Sequence, residues 1–233
     1  MLCASAGSAA AQTGARSVVD AFFSPAGIPE KGNVYTGEML KSQNQKTLGE
    51  YFGTSATVSI RELAATADTA RFGAEVRSRG ATQDWYLFLA RVDGRWKLSA
   101  VRTLAQTGVL HRGLEGLRGM RQRTAEQEWN LRNLELVLSS DAELTKHFLA
   151  NRAGFAALAS RVLGDRRADG KALHLQSAER AGAGYVVFTF GGVTDNTVGY
   201  LFVPEGVAVP AVTPEAFIHV ERIGDGWYLF RTT

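Results

Sequence analysis

The sequence predicts an α+β protein of two modules, each with N-terminal helices packed on a curved antiparallel β-sheet. Three observations carry this prediction. Apolar residues recur at helical spacing at the start of each half, strand-like alternation follows in each half, and turn-forming pairs stand between the predicted strands. We expect the first module at 13–105, a Gly/Arg-rich linker at 106–123 and the second module at 124–233.

Length and composition are those of an ordinary globular protein. The chain has 233 residues, of which 45% are hydrophobic and 21% charged, and this disfavours collagen-like and disordered classes. No stretch approaches the roughly 18 apolar residues of a membrane-spanning helix, so we expect no membrane span. The pI near 9.1 reflects 26 basic residues against 23 acidic ones. Since this excess is small, we expect no nucleic-acid partner.

Residues 1–12 are predicted to be the remnant of an export signal or a disordered terminus. Ala9 and Ala11, followed by Gln12, fit the pattern of small residues that signal peptidase accepts. Cys3 lies inside this segment, so the processed chain would carry no thiol. We therefore expect a periplasmic or secreted protein, with a cytoplasmic location as the alternative.

The first module is predicted to begin with helices. Val18, Val19, Phe22 and Phe23 recur at helical spacing over 15–23, before Pro25 interrupts the pattern. A second helix is predicted at about 35–52, where Gly53 can end it.

Strands are expected at about 56–63, 70–78, 83–92 and 95–104, where β-branched and aromatic residues are frequent. Residues 85–90 are apolar on both faces, which indicates a central strand. Asp93 and Gly94 tolerate the positive φ of a tight hairpin turn and so predict one between the last two strands.

The second module repeats this plan. Residues 106–123 are rich in glycine and arginine, and the density of glycines opposes regular structure, so we interpret them as a linker, with a poorly formed helix as the alternative. Helices are predicted at about 124–138 and at about 152–163. A capping box at Ser140 and Glu143 also predicts the start of a helix. A meander follows, with strands at about 172–179, 184–190, 197–203, 216–223 and 227–232.

A local similarity links the two halves. Residues 91–98 resemble residues 222–229, with Trp96 and Leu98 in the first matching Trp227 and Leu229 in the second. A tandem duplication would explain this match, and so would convergent hairpin design.

Helices followed by an antiparallel sheet that ends in an Asp-Gly hairpin with a Trp resemble the cystatin-like α+β roll typified by the nuclear-transport-factor-2-like superfamily. The resemblance covers 15–105 best, and its most specific part is the hairpin from Trp85 to Leu104. It implies a cone between helices and sheet that serves as a ligand or active-site pocket, or only as a core. Fold alone does not choose between these uses.

Familiar catalytic motifs are missing from the sequence: there is no G-x-S-x-G, H-E-x-x-H, C-x-x-C or P-loop pattern. We therefore expect no cofactor. The four histidines show no metal-ligand spacing, and we expect no metal.

Four residues are candidates for a site. His219 and Glu221 share one face of a predicted strand, so an imidazole–carboxylate pair can act as a general base if that face lines a pocket. The alternative is an exposed polar face opposite Ile218 and Val220. Asp195 and Tyr200 are candidate ligand-binding residues, although turn chemistry also explains Asp195.

These observations favour an exported, non-catalytic binding module for a small apolar ligand, a partner protein or an envelope component. One alternative is a small-pocket enzyme, isomerase- or hydrolase-like, that uses His219 and Glu221 as its acid/base pair. Another is an immunity or inhibitor protein that acts by surface complementarity.

Overall fold

The computed structural model describes residues 6–78, 80–164 and 169–233, with side chains from Gly14 onward. The chain divides into two compact units, Met1–Thr103 and Leu104–Thr233. Each unit combines helices with one antiparallel sheet, so the predicted α+β class with two sheet modules is confirmed. Within the described residues, no helix has both the length and the apolar character needed to cross a membrane.

The first unit places its helical segments before a four-stranded antiparallel meander in the order β1-β2-β3-β4. Its elements are α1 (Ala6–Phe23), α2 (Lys31–Val34), a 3-10 helix (Gly37–Ser42), α3 (Leu48–Phe52), a 3-10 turn (Gly53–Ser55), β1 (Ala56–Ala65), β2 (Thr69–Ser78), β3 (Ala81–Val92) and β4 (Arg95–Thr103). The strands lie close to their predicted positions, and Asp93 and Gly94 form the β3–β4 turn with positive φ, as expected.

The helices of the first unit differ from the prediction. Helix α1 begins at Ala6, so the described part of the predicted terminal segment, 6–12, is helical, and residues 1–5 lie outside the described residues. The single helix predicted at 35–52 is divided, because the backbone N–H of Thr36 donates to the Leu98 carbonyl at 2.9 Å and the Thr47 capping box starts a new helix.

The core of the first unit lies between α1 and one face of the sheet. Val19 and Phe22 of α1 pack with Phe72 of β2, Leu87 of β3 and Leu98 of β4. All five side chains are 4% exposed or less. The apolar face of α1 and the apolar face of the sheet thus pack together, as the helical period and the strand alternation of the sequence require.

The second unit also places helices before strands. Its elements are α4 (Thr107–Arg118), α5 (Ala125–Leu138), α6 (Asp141–Leu163), a 3-10 turn (Lys171–Leu173), β5 (Ser177–Arg180), β6 (Val186–Val193), β7 (Asn196–Phe202), β8 (Phe217–Gly224) and β9 (Trp227–Thr232). The sheet order is β5-β6-β7-β9-β8, so the predicted simple meander is wrong at its end. Strand β9 lies between β7 and β8, which makes β8 an edge strand.

Residues 107–118 form α4, so the segment follows the helical alternative and not the irregular linker. Tertiary contacts overcome the poor helix propensity of its glycines. Leu114 is buried, and Arg118 donates to Glu135 of α5 at 2.9 Å. Arg123 donates to the carbonyls of Leu117 and Met120, so it satisfies acceptors at the end of the helix.

An aromatic core lies between α6 and the sheet of the second unit. Phe155 of α6 is fully buried, and its ring centroid lies 5.0 Å from that of Tyr200 and 5.8 Å from that of Phe148. Phe188 and Trp227 complete the cluster from β6 and β9, with centroids 5.3 Å apart. This packing holds the start of α6 over strands β8 and β9, where polar residues gather.

Candidate functional site

A cluster of charged and polar side chains lies where the N-terminus of α6 meets the edge of the second sheet. Ser140 caps α6 through its hydroxyl and Glu143, and this capping box makes Asp141 the first residue of the helix. His219 and Glu221 come from the edge strand β8, and Arg231 comes from the neighbouring strand β9. Because His219 is paired with Arg231 across the two strands, both side chains lie on the face that packs against α6.

The distances within this cluster are short. Two carboxylate oxygens converge on one ring nitrogen, since His219 Nε2 lies 3.2 Å from Glu221 Oε2 and 3.4 Å from Asp141 Oδ2. Arg231 Nε donates to Asp141 Oδ1 at 3.0 Å, and its second nitrogen donates to the Ser139 carbonyl at 2.8 Å. Each oxygen of Asp141 therefore faces a different partner.

Three of the four charged or titratable side chains in this cluster are buried, so their charges must be balanced within the protein. Asp141, His219 and Arg231 are at most 4% exposed, whereas the side chain of Glu221 is 40% exposed. A buried carboxylate needs a counter-charge, and the Arg231 guanidinium supplies one to Asp141. The positive end of the α6 dipole also favours an anion at this first helical position. Glu221 forms the solvent-exposed side of the cluster.

The sequence correctly places His219 and Glu221 on one face of a strand, and they contact each other. The alternative of an exposed face opposite Ile218 and Val220 is wrong for His219, which is 1% exposed. The sequence did not indicate that Asp141 and Arg231 belong to this cluster. The capping box signals an acidic residue at the start of α6, but no local pattern shows that this residue meets a strand 78 positions later.

The other two candidates, Asp195 and Tyr200, are not brought together. Asp195 is exposed in the β6–β7 turn, where its carbonyl accepts a hydrogen bond from the Thr232 hydroxyl. Tyr200 is fully buried, and its hydroxyl donates to the Leu144 carbonyl at 2.7 Å. Burial raises the pKa of Tyr200 well above its ordinary value. Its environment is that of a core residue, and Asp195 has the turn role that was the alternative.

Two more histidines lie in the second unit. His147 of α6 stacks near Tyr200, with Nδ1 3.2 Å from the tyrosine hydroxyl. Burial lowers the pKa of His147, and the nearby His174 lowers it further. Burial also lowers the pKa of His174, with Arg132 adding to the effect. Both imidazoles are therefore biased towards the neutral form.

The described part of the first unit contains a cleft of about 460 Å³ between its helical segments and the sheet. Its floor is apolar, with buried Phe22 and Met39 beside the half-buried Trp85. The remaining lining residues are Tyr35, Glu38, Lys41, Ser42, Gln45, Lys46, Leu48, Val101 and Arg102. A second concavity of about 400 Å³ in this unit opens beside Tyr51, which is 73% exposed, and its described lining residues carry no charge.

Charges are distributed unevenly around the first cleft. Arg102 and Glu38 form a bidentate ion pair at its rim, with one contact at 2.7 Å. Lys41 and Lys46 line the same cleft and are exposed. Burial raises the pKa of Tyr35 to about 12, and the carboxylate of Glu50 contributes to this shift, so its hydroxyl keeps its proton at neutral pH.

The ion pair of Glu50 and Lys31 predicts a specific pH dependence. The Lys31 ammonium, 2.8 Å away, and the Thr47 backbone N–H lower the pKa of Glu50 from 4.5 to about 2. Because the folded-state pKa is lowered, this group stabilises the fold above pH 4.5, and its contribution is lost as the pH falls towards about 2. We expect Glu50→Gln to lower the melting temperature more at pH 6 than near pH 2.

Thermal unfolding of both proteins at several pH values measures this difference. Asp68→Asn, at an exposed position of the same unit, is the matched control and should change the melting temperature little at any pH. A deficit of Glu50→Gln that stays constant from pH 6 to pH 2 would contradict the assignment.

No protein-family model, curated protein or solved structure matches this chain. The resemblance to the cystatin-like roll and the tandem duplication therefore stay predictions. The roles of the residues around both sites are inferred from their own geometry and chemistry.

Proposed function

We propose that the protein is a non-catalytic binding module that holds a small apolar molecule, bearing an acidic group, in the cleft of its first unit. The observation that carries this proposal is the cleft itself, which combines an apolar floor of Phe22, Met39 and Trp85 with a rim that contains Lys41 and Lys46. Its volume of about 460 Å³ lies within the usual range of small-molecule sites, roughly 300–1,000 Å³.

The two parts of the cleft serve different parts of such a ligand. An apolar chain on the floor would be removed from water, which is favourable in proportion to the buried area. A carboxylate at the rim would lie near the two lysines, while Arg102 already has a partner in Glu38. An amphipathic carboxylate therefore fits the cleft better than a purely apolar molecule.

The enzyme alternative has less support. A general base must come within about 2.6–3.2 Å of the proton that it removes from its substrate. His219, the base in that alternative, is 1% exposed and has two carboxylates at its Nε2 atom. We therefore propose binding as the function, with export to the periplasm or medium as the accompanying prediction.

The proposal is tested by titrating the full chain with decanoate and measuring binding by calorimetry and by tryptophan fluorescence. Ser42→Trp places a large side chain in the cleft and should weaken decanoate binding by about tenfold or more. Asn44→Trp, two residues along but outside the lining, is the matched control and should bind as the unmodified protein does.

The contribution of the rim is measured separately. Replacing Lys41 and Lys46 by Gln should weaken decanoate binding by about fivefold and leave decanol binding unchanged, because an exposed ion pair contributes up to about 1 kcal/mol. If neither decanoate nor decanol binds at about 1 mM, the proposal is wrong, and a protein partner or an inhibitor role is favoured. Equal weakening by Ser42→Trp and Asn44→Trp would also place any binding outside the cleft.

A further inference from the structure

We propose that Asp141, His219 and Glu221 form a binding site for a divalent transition-metal ion, with Zn²⁺ as the ion that fits best. This site lies in the second unit and is separate from the proposed ligand cleft. One ligand atom from each residue lies within 4.8 Å of the other two. The evidence is the geometry of the three atoms, their burial and the chemistry of the donor set.

The interatomic distances fit a cation shared by the three residues. Charge-assisted N–H···O bonds usually measure about 2.7–2.9 Å. The nitrogen–oxygen distances from His219 to Glu221 and Asp141 are longer, at 3.2 and 3.4 Å. Ligands about 2.0–2.1 Å from a tetrahedral zinc ion lie about 3.3 Å from each other. The two distances from His219 therefore match the edges of a zinc coordination shell, and the two carboxylate oxygens lie within 4.8 Å of each other.

The partners of Asp141 orient it for such a site. Its Oδ1 atom accepts from Arg231, which also donates to the Ser139 carbonyl, so the carboxylate is fixed with Oδ2 towards His219. Hydrogen bonds of this kind to metal-ligating carboxylates hold the ligand in place. The guanidinium also balances one of the two carboxylates, and the ligands together with Arg231 then carry about one negative charge, with a neutral imidazole.

The donor set selects the class of metal. Imidazole nitrogen suits Zn²⁺ and its neighbours, whereas Ca²⁺ and Mg²⁺ prefer oxygen ligands alone. Three protein ligands leave a fourth position for water, and the 40% exposed side chain of Glu221 provides the solvent-facing side. A small ion can thus enter beside Glu221, although His219 is closed to a larger substrate.

Zinc titration of the full chain, freed of metal with a chelator, tests the site. We expect one Zn²⁺ bound per chain and an X-ray absorption spectrum with one imidazole ligand and no sulfur. Glu221→Gln should weaken Zn²⁺ binding by about 10–100-fold, and His219→Asn should weaken it at least as much. Millimolar Ca²⁺ or Mg²⁺ should not displace the zinc.

Two variants distinguish this site from other zinc ligands. Glu179→Gln removes an exposed carboxylate on β5 of the same sheet, and His111→Asn removes a histidine outside the cluster. Both should bind zinc unchanged. If His219→Asn does not fold, as circular dichroism would show, Glu221→Gln decides, because this position is half exposed.

The proposal is overturned if no zinc binds at about 100 μM, or if Glu221→Gln leaves the Kd unchanged. A spectrum with a sulfur ligand would assign the metal to Cys3 and would also overturn it. None of these results bears on decanoate binding in the first unit, so the two proposals fail independently.

Discussion

Replacing Phe155 with alanine is expected to lower the free energy of unfolding by about 3–5 kcal/mol, the usual cost of removing a buried aromatic ring. The ring is fully buried, and its centroid lies within 6.3 Å of the rings of Tyr200, Phe148, Phe188 and Trp227. The cavity left by the ring would remove contacts from all of these neighbours at once. Chemical denaturation followed by tryptophan fluorescence measures the loss.

Leu149→Ala is the matched control for this prediction. Leu149 lies on the same helix, α6, but is 57% exposed. Its replacement should change the free energy of unfolding by no more than about 0.5 kcal/mol. If both variants lose the same stability, the aromatic cluster does not stabilise the second unit as described.

Replacing Asp141 with asparagine is expected to cost about 3–5 kcal/mol of folding free energy, because it leaves the buried guanidinium of Arg231 without its counter-charge. Both residues are at most 4% exposed, and the pair is joined at 3.0 Å. The measurement is denaturation of the full chain in the presence of a chelator, so that any effect on metal binding does not contribute.

Two comparisons test the cause of that loss. Asp20→Asn breaks an exposed pair with Arg16 and should cost less than about 1 kcal/mol. Replacing Asp141 by Leu and Arg231 by Met together should recover much of the stability that Asp141→Asn loses, because no uncompensated charge remains buried. A double variant as unstable as the sum of its single variants would show that the pair is not coupled.

The proposed metal site gives this cluster a second test. Zinc that binds only the folded protein raises its stability by mass action, so added zinc should raise the melting temperature of the unmodified chain. Glu221→Gln should remove most of this increase while leaving the Asp141–Arg231 pair in place. The ion pair and the metal site can thus be separated experimentally.

Features encoded by neighbouring residues were predicted well. The strands of the first sheet and the turn at Asp93 and Gly94 depend on alternation and on positive φ, both of which are local properties. The capping box at Ser140 and Glu143 likewise marked the start of α6. Errors occurred where distant contacts override local preference, as in α4, whose glycines predicted a linker.

The order of the last strands in the second sheet also depends on distant contacts that local sequence patterns do not predict. The sequence placed β8 and β9 correctly and predicted the hairpin between them, but alternation does not say which of the two pairs with β7. The structure pairs β9 with β7, so His219 and Glu221 lie on an edge strand and Glu221 stays half exposed. Access to the cluster follows from this choice.

By itself, the sequence determined the α+β class, the positions of the strands other than β5 and the shared face of His219 and Glu221, because each depends on residues only a few positions apart. Only the tertiary structure decided that Asp141 and Arg231 join that pair, that Tyr200 is buried, and that Lys41 and Lys46 border an apolar cleft. The physical reason is that burial and charge pairing depend on which elements pack together. Spacing along the chain does not encode that packing in a form that local rules can recover.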